Sequence, residues 1–227
     1  MIKDLDIFSK NIKGKLKFKY SLKNHTWLNI GGKAKIFFVP ETLAELREFI
    51  LYAKKETENF FVIGAGSNLL ISENIQNRIF IKLGKNFNKM SLTKDNVIIA
   101  GCSILDKNVS EFACQNSLGG LEFLSCIPGS VGGGIRMNSG CFGTEFKDVL
   151  LSVQVMDFNG RVYTINAHDI KFDYRRTNIE KNLIFLSASF KTQKNDTKNI
   201  LENIKKLKEK KEISQPLRVK TGGSTFK

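Results

Sequence analysis

The chain has 227 residues, 41% of them hydrophobic, and a formal net charge of +14 from 36 Lys and Arg against 22 Asp and Glu. That length allows one or two domains with a real core, and no apolar run approaches the ~20 residues that a membrane span needs. The opening MIKDLDIFSKNIKGK has no apolar stretch of the secretory-signal kind, so a cytoplasmic protein without a membrane partner is expected. The basic residues are scattered from Lys3 to Lys227 with no RNA-binding or helix-turn-helix signature. This favours a compositional drift over a nucleic-acid partner, although a basic surface still suits a phosphorylated ligand. Cys102, Cys114, Cys126 and Cys141 form no C-x-x-C pair, and only His25 and His168 could join them. Neither a metal site nor a disulfide framework is expected.

In chain order, residues 1–20 alternate charged with isolated apolar residues and read as a helical or loose lead-in. Residues 24–33, NHTWLNIGGK, end in a glycine pair that must turn, and 36–39 (IFFV) read as a buried strand stopped by Pro40. Thr42 to Glu45 has the form of a capping box; Leu43, Leu46, Ile50 and Ala53 share a face, which predicts a helix over 42–55. Strands follow at 60–63 and 79–83, separated by the loop GAGSN (64–68). A second unit begins with a strand at 97–101 and a helix from Ser103, with Leu105, Val109, Phe112 and Ala113 as its apolar face. After a glycine-rich stretch at 119–143, strands at 151–158 and 161–165 meet across Asn159-Gly160, a strong hairpin signal. Residues 168–177 read as a loop or short helix, 183–190 as a strand, and about 197–212 as a charged helix capped by Asp196 or Thr197. The order is that of an α+β protein with mixed sheets in two lobes.

Two loops carry the functional signal. In the first, Gly64 and Gly66 permit close backbone approach, and Ser67 and Asn68 add donors. It is not a full dinucleotide fingerprint, because Leu69 stands where the third glycine belongs and no acid ends a strand about twenty residues on. In the second, Gly129, Gly132, Gly133 and Gly134 fall within six residues, preceded by Pro128 and followed by Met137-Asn138. Such a run is too poor in side chains to make a core, and exposed backbone amides bind phosphate well. One such loop per lobe suggests a diphosphate clasped between the lobes.

The order VIGAGSNLL, GLEFLSCIPGSVGGGIRMNSGCFG, FDYRRT and GGSTFK closely resembles the UDP-N-acetylenolpyruvoylglucosamine reductase (MurB) family, in its shorter form, over about residues 20–227. The resemblance implies a two-lobed FAD-binding fold of the vanillyl-alcohol oxidase/p-cresol methylhydroxylase type, followed by the start of a third domain. It implies boundaries at 1–83 and 84–195 for the FAD-binding subdomains, and 196–227 for a linking helix and the start of a substrate domain. It assigns Gly64, Ala65, Gly66, Ser67 and Asn68, with Pro128, Gly129, Ser130, Gly133, Asn138 and Gly140, to the FAD pyrophosphate. Asn29, Gly31 and Gly32 would lie near the flavin. NADPH would reduce the flavin, which would pass hydride to a UDP-sugar enolpyruvyl ether in peptidoglycan precursor synthesis. Arg175 would stabilise the enolate-like carboxylate, Tyr174 would position the substrate, and Ser224 would protonate the neighbouring carbon. Spacing alone leaves Arg175 and Arg176 open as the working arginine. A monomer is expected. In the family, GGSTFK runs on into a further domain with a catalytic glutamate, so impaired turnover is expected of this chain. The rivals are a related flavin oxidase with another substrate and a basic nucleic-acid binder.

Overall fold

The computed structural model describes residues 8, 9, 11–54 and 59–215. Lys15–Ser21, expected as part of a loose lead-in, is a strand (β1) paired antiparallel with β2 (Lys33–Val39). Its alternation of lysine with apolar residues is the period-2 pattern of a strand with one face wet. Helix α1 (Leu43–Ala53) follows, with Thr42 Oγ1 accepting from the Glu45 amide at 3.1 Å. The return half of the capping box is absent, since the Glu45 carboxylate accepts instead from the Lys13 amide (2.7 Å) and the Glu41 amide (2.9 Å). Strands β3 (Phe60–Val62) and β4 (Gln76–Ile81) complete a sheet of order β1-β2-β4-β3, in which β2, β4 and β3 run parallel. Ile36, Phe38, Ile79 and Ile81 point toward α1; Phe37 and Phe80 point the other way, with Leu22, Ala34, Ile63 and Ile71.

The second lobe starts with β5 (Met90–Leu92), β6 (Val97–Gly101) and helix α2 (Asp106–Gln115). The helix begins at Asp106, not Ser103, because Leu105 is its N-cap and lies 38% exposed, off the apolar face assigned to it. Then come β7 (Leu118–Gly119), the short helix α3 (Val131–Arg136), the hairpin β8 (Gly140–Cys141) and β9 (Thr144–Glu145), and the turn of helix α4 (Phe146–Val149). β10 (Leu150–Met156) and β11 (Val162–Asn166) pair around Asn159-Gly160 as expected. Of residues 168–177, where a loop or short helix was expected, His168 and Asp169 lie in the 3-10 turn Ala167–Asp169, and 172–177 form a second small hairpin, β12 (Phe172–Asp173) with β13 (Arg176–Thr177). β14 (Ile184–Lys191), β15 (Gln193–Lys194) and helix α5 (Thr197–Ser214) follow, with the Asp196 side chain capping the Lys198 amide at 2.7 Å. The main sheet has order β11-β10-β14-β6-β5, antiparallel throughout.

The lobes share packing. Met156, Ile184 and Leu186 of the second sheet lie in one buried cluster with Phe38, Leu46, Phe49 and Ile50 of the first lobe. The second lobe's own core is built around Ile98, Val109, Val131, Phe146, Val153 and Phe190. α5 rests on the 3-10 turn Glu122–Cys126; Ile200 is the buried residue of the helix and Lys211 Nζ donates to the Cys126 carbonyl.

Candidate functional site

The loop 64–68 starts two residues beyond the end of β3, at the carboxyl ends of the parallel strands, where open sheets of this kind bind ligands. Gly66 adopts φ +75°, and a Cβ there would fall 1.9 Å from the His25 carbonyl oxygen, so this position needs glycine twice over. Its carbonyl accepts from the Trp27 amide at 3.0 Å, which ties the loop to the 24–32 segment. Among the described residues nothing accepts from the amides of Gly64, Ala65, Gly66, Ser67 or Asn68. A run of backbone donors without acceptors, one of them on a buried residue, is the arrangement that receives an anion.

The second loop comes to the first. A Cβ on Gly64 would lie 2.3 Å from Ser130 Oγ. Ser130 is 2% exposed, and its hydroxyl has no hydrogen-bond partner among the described residues. The loop is held from behind by a ladder: Asp106 N to Gly129 O (3.1 Å), Val131 N to Ile104 O (2.9 Å) and Gly132 N to Cys102 O (3.0 Å). Pro128 and Gly133 stand at the surface on either side. An unpaired buried hydroxyl facing unpaired amides fits a diphosphate, so the residues present suit the dinucleotide implied by the sequence.

Three groups here escaped the sequence reading. Asp106 is fully buried with both carboxyl oxygens unpartnered, and a Cβ on Gly129 would sit 2.6 Å from its Oδ2. Burial pushes its pKa well above the usual carboxylate range, which favours its neutral form beneath the glycine loop. Lys82 follows β4 and donates to the Gly64 carbonyl at 3.2 Å, and burial lowers its pKa. Arg136, at the end of α3, donates to the carbonyls of Ile179 (2.7 Å), Glu180 (2.9 Å) and Leu183 (3.0 Å) and lies over the Phe185 ring at 4.3 Å.

Asn138 is placed differently from the pyrophosphate role expected of it. It is 2% exposed with φ +40°, and its side chain is committed to protein: Nδ2 donates to Glu145 Oε2 (2.9 Å) and to the Asp173 carbonyl (3.4 Å), while Oδ1 accepts from the Lys147 amide (3.1 Å). It fastens the β8–β9 hairpin to the β12–β13 hairpin. Gly140 serves the same junction, since a Cβ would meet Thr144 O and Glu145 Cγ at 2.7 Å. Between the hairpins lies a cavity of about 400 Å³ lined by Cys141, Phe142, Glu145, Tyr174 and Arg175 among others.

Arg175 occupies the left-handed position (φ +57°) of the two-residue turn between β12 and β13, exposed, with its guanidinium 5.2 Å from the Tyr174 ring centre. Arg176 is held elsewhere: Nε and Nη2 both donate to Asp173 Oδ2, at 2.9 and 2.5 Å. The geometry thus separates the two arginines that spacing left open, and only Arg175 lines the cavity. Gly31 and Gly32 are buried, and a Cβ on Gly32 would meet the Asn74 carbonyl at 2.0 Å; Asn29 is exposed at φ +56° beside them. Ser224 lies outside the described residues. His25 stacks on Phe37 at 4.5 Å, and burial together with Lys82 and Lys17 lowers its pKa; His168 is exposed beside Asp169.

Residues 34–166 match the FAD binding domain family. The chain is 49% identical over 228 aligned residues to a UDP-N-acetylenolpyruvoylglucosamine reductase of Pelagibacter ubique, covering all of this chain and 74% of that protein. Among solved structures, the UDP-N-acetylenolpyruvylglucosamine reductase (MurB) of Thermus caldophilus superposes with a TM-score of 0.81 at 27% identity, over 95% of this chain and 75% of that one. BBE-like 1 of Physcomitrella patens shares the fold, with a TM-score of 0.60 at 16% identity over 84% of this chain and 44% of its own.

Proposed function

The chain belongs to the UDP-N-acetylenolpyruvoylglucosamine reductase family, and we propose from that premise how its residues divide the family's reaction. It is an FAD-dependent, NADPH-reduced oxidoreductase of peptidoglycan precursor synthesis, acting on UDP-N-acetylglucosamine enolpyruvate. The observation that carries the division is the meeting of Gly64 with the partnerless Ser130 hydroxyl, opposite a run of amides without acceptors. Gly64 to Asn68, with Pro128 to Ser130 and Gly133, hold the FAD diphosphate. Asn29, Gly31 and Gly32 shape the neighbouring wall, the two glycines packed against the 71–74 segment.

When bound, FAD supplies the hydride that reduces the enolpyruvyl double bond. As that bond is reduced, negative charge grows on the adjoining carboxylate. Arg175 donates to both carboxylate oxygens from its fixed turn, and a planar guanidinium suits that task. Tyr174 carries the apolar face on which Arg175 and the substrate are aligned. Asn138 and Gly140 keep the two hairpins in register, so the cavity retains its shape. Ser224 gives the proton to the neighbouring carbon, a role supported by the GGSTF match alone. Serine is a weak acid and serves only against a strongly basic centre within hydrogen-bond reach. A cytoplasmic monomer without a nucleic-acid partner accords with this reading; among the described residues no helix is long and apolar enough to cross a membrane.

The experiment is anaerobic reduction of the FAD-loaded chain by NADPH, followed by UDP-N-acetylglucosamine enolpyruvate. Bleaching of the flavin band by NADPH is expected, and a slow return on adding the enolpyruvyl substrate, in line with the impaired turnover expected from the sequence. Reoxidation by the substrate at the same rate in wild type and Arg175→Ala would refute the assignment of the cavity.

A further inference from the structure

Lys82 stands where charge matters most. It emerges directly after β4, and its neighbour loop emerges just beyond β3, so both lie at the carboxyl ends of parallel strands. Its ammonium is drawn partly out of water onto the Gly64 carbonyl at 3.2 Å, and no carboxylate pairs with it among the described residues. A partly desolvated cation without a counter-charge is costly, and the side chain would be free to lie in solvent were nothing there to receive it. An ammonium has three donors, and a single carbonyl uses one. Gly64 is also the residue that faces the unpartnered Ser130 hydroxyl, so the cation sits beside the crossing of the two glycine loops. The loops themselves offer only neutral dipoles, whereas a diphosphate carries two negative charges.

We propose that Lys82 is a cofactor-binding residue whose ammonium pairs with a phosphate of the FAD diphosphate held between the loops. The inference rests on the FAD reading given above. It adds to that reading a charged contact supplied by the strand end, outside both glycine loops. It also gives the chain a means to prefer FAD over flavins that lack the diphosphate.

The test is titration of the apo chain with FAD and with riboflavin, the charge-free flavin, followed by flavin fluorescence at low and high KCl, for wild type, Lys82→Gln and Lys82→Arg. Lys82→Gln should weaken FAD binding about tenfold, equivalent to about 1.4 kcal/mol, and leave riboflavin binding unchanged. Lys82→Arg should keep most of the FAD affinity. Equal weakening of FAD and riboflavin would show that Lys82 only braces the loop and would overturn the proposal, as would an unchanged FAD constant. If Lys82→Gln does not fold, the salt series on wild type decides. FAD affinity falling more steeply with KCl than riboflavin affinity supports the pairing, and parallel curves overturn it. Wild type that binds no FAD at any salt would sink the FAD reading itself, whereas tight FAD binding untouched by Lys82→Gln sinks this inference alone.

Discussion

Gly66 and Asp106 show what single residues contribute, and only one of them was readable in the sequence. At Gly66 the left-handed backbone and the 1.9 Å approach to the His25 carbonyl act together, so Gly66→Ala should cost about 1–3 kcal/mol of strain and abolish tight FAD binding. Thermal melting and flavin titration measure the two effects; a variant that binds FAD as wild type does would remove the loop from the site. Asp106 is the hidden case. Its type and position suggest an ordinary first-turn helix acid, and nothing local shows that the fold buries it. With its folded pKa above the ordinary value, native Asp106 holds a proton that the unfolded chain releases above about pH 4. Stability therefore falls as pH rises through that window, by up to about 1.4 kcal/mol per pH unit until the folded pKa is reached. Asp106→Asn should lose this slope and gain on wild type in denaturant midpoints as pH rises above the ordinary carboxylate value. Parallel pH profiles would show that Asp106 is ionised in the native state. Lys82 went unread for a different reason: in a chain of net charge +14 another lysine at a strand end carries no signal.

At the scale of elements, the long periodic segments and the apolar strand β3 were legible, and the two-residue strands were not. α1, β6, β10, β11, β14 and α5 fall where periodicity and the Asn159-Gly160 turn put them. β1 was misread because its pairing with β2 is non-local and an edge strand facing water resembles charged coil. The β12–β13 hairpin has two residues per strand, too few for any period, so a loop or short helix was all the sequence offered there. That hairpin places Arg175 at the cavity and pairs Arg176 with Asp173. Arg175→Ala should lower the rate of flavin reoxidation by substrate by about 10²–10³-fold, the scale for removing a donor to developing charge, and leave reduction by NADPH intact. Arg176→Ala breaks an exposed pair with Asp173 and should change the same rate little. Stopped-flow measurement of both half-reactions separates them; the reverse ranking would reassign the role to Arg176. Arg136 belongs to this scale as well, since one guanidinium holds three carbonyls of the 179–183 segment leading into β14.

The whole molecule works as two lobes clasping a ligand, and their shared core sets how that clasp responds. Met156, Ile184 and Leu186 pack with Phe38, Phe49 and Ile50, so the lobes are joined by buried apolar side chains as well as by the cofactor. This coupling was invisible in the sequence, where each strand showed an apolar run with no indication of which lobe would cover it. The FAD loops come from opposite sides of that core: Gly64 from the first lobe, Ser130 from the second. A ligand that bridges them binds only when both are folded and apposed. FAD at one hundred times its dissociation constant should then raise stability by about 2.7 kcal/mol, and should do so for the chain as one unit. Fluorescence of Trp27, in the first lobe, and far-UV circular dichroism, which follows both lobes, should give coincident thermal transitions without FAD and shift together with it. Ile184→Ala, which opens a cavity in the shared cluster, should lower the common transition by about 2–5 kcal/mol of stability without splitting it. Two separated transitions in wild type, only one of them moved by FAD, would show instead that the lobes melt independently and that the clasp forms from one side.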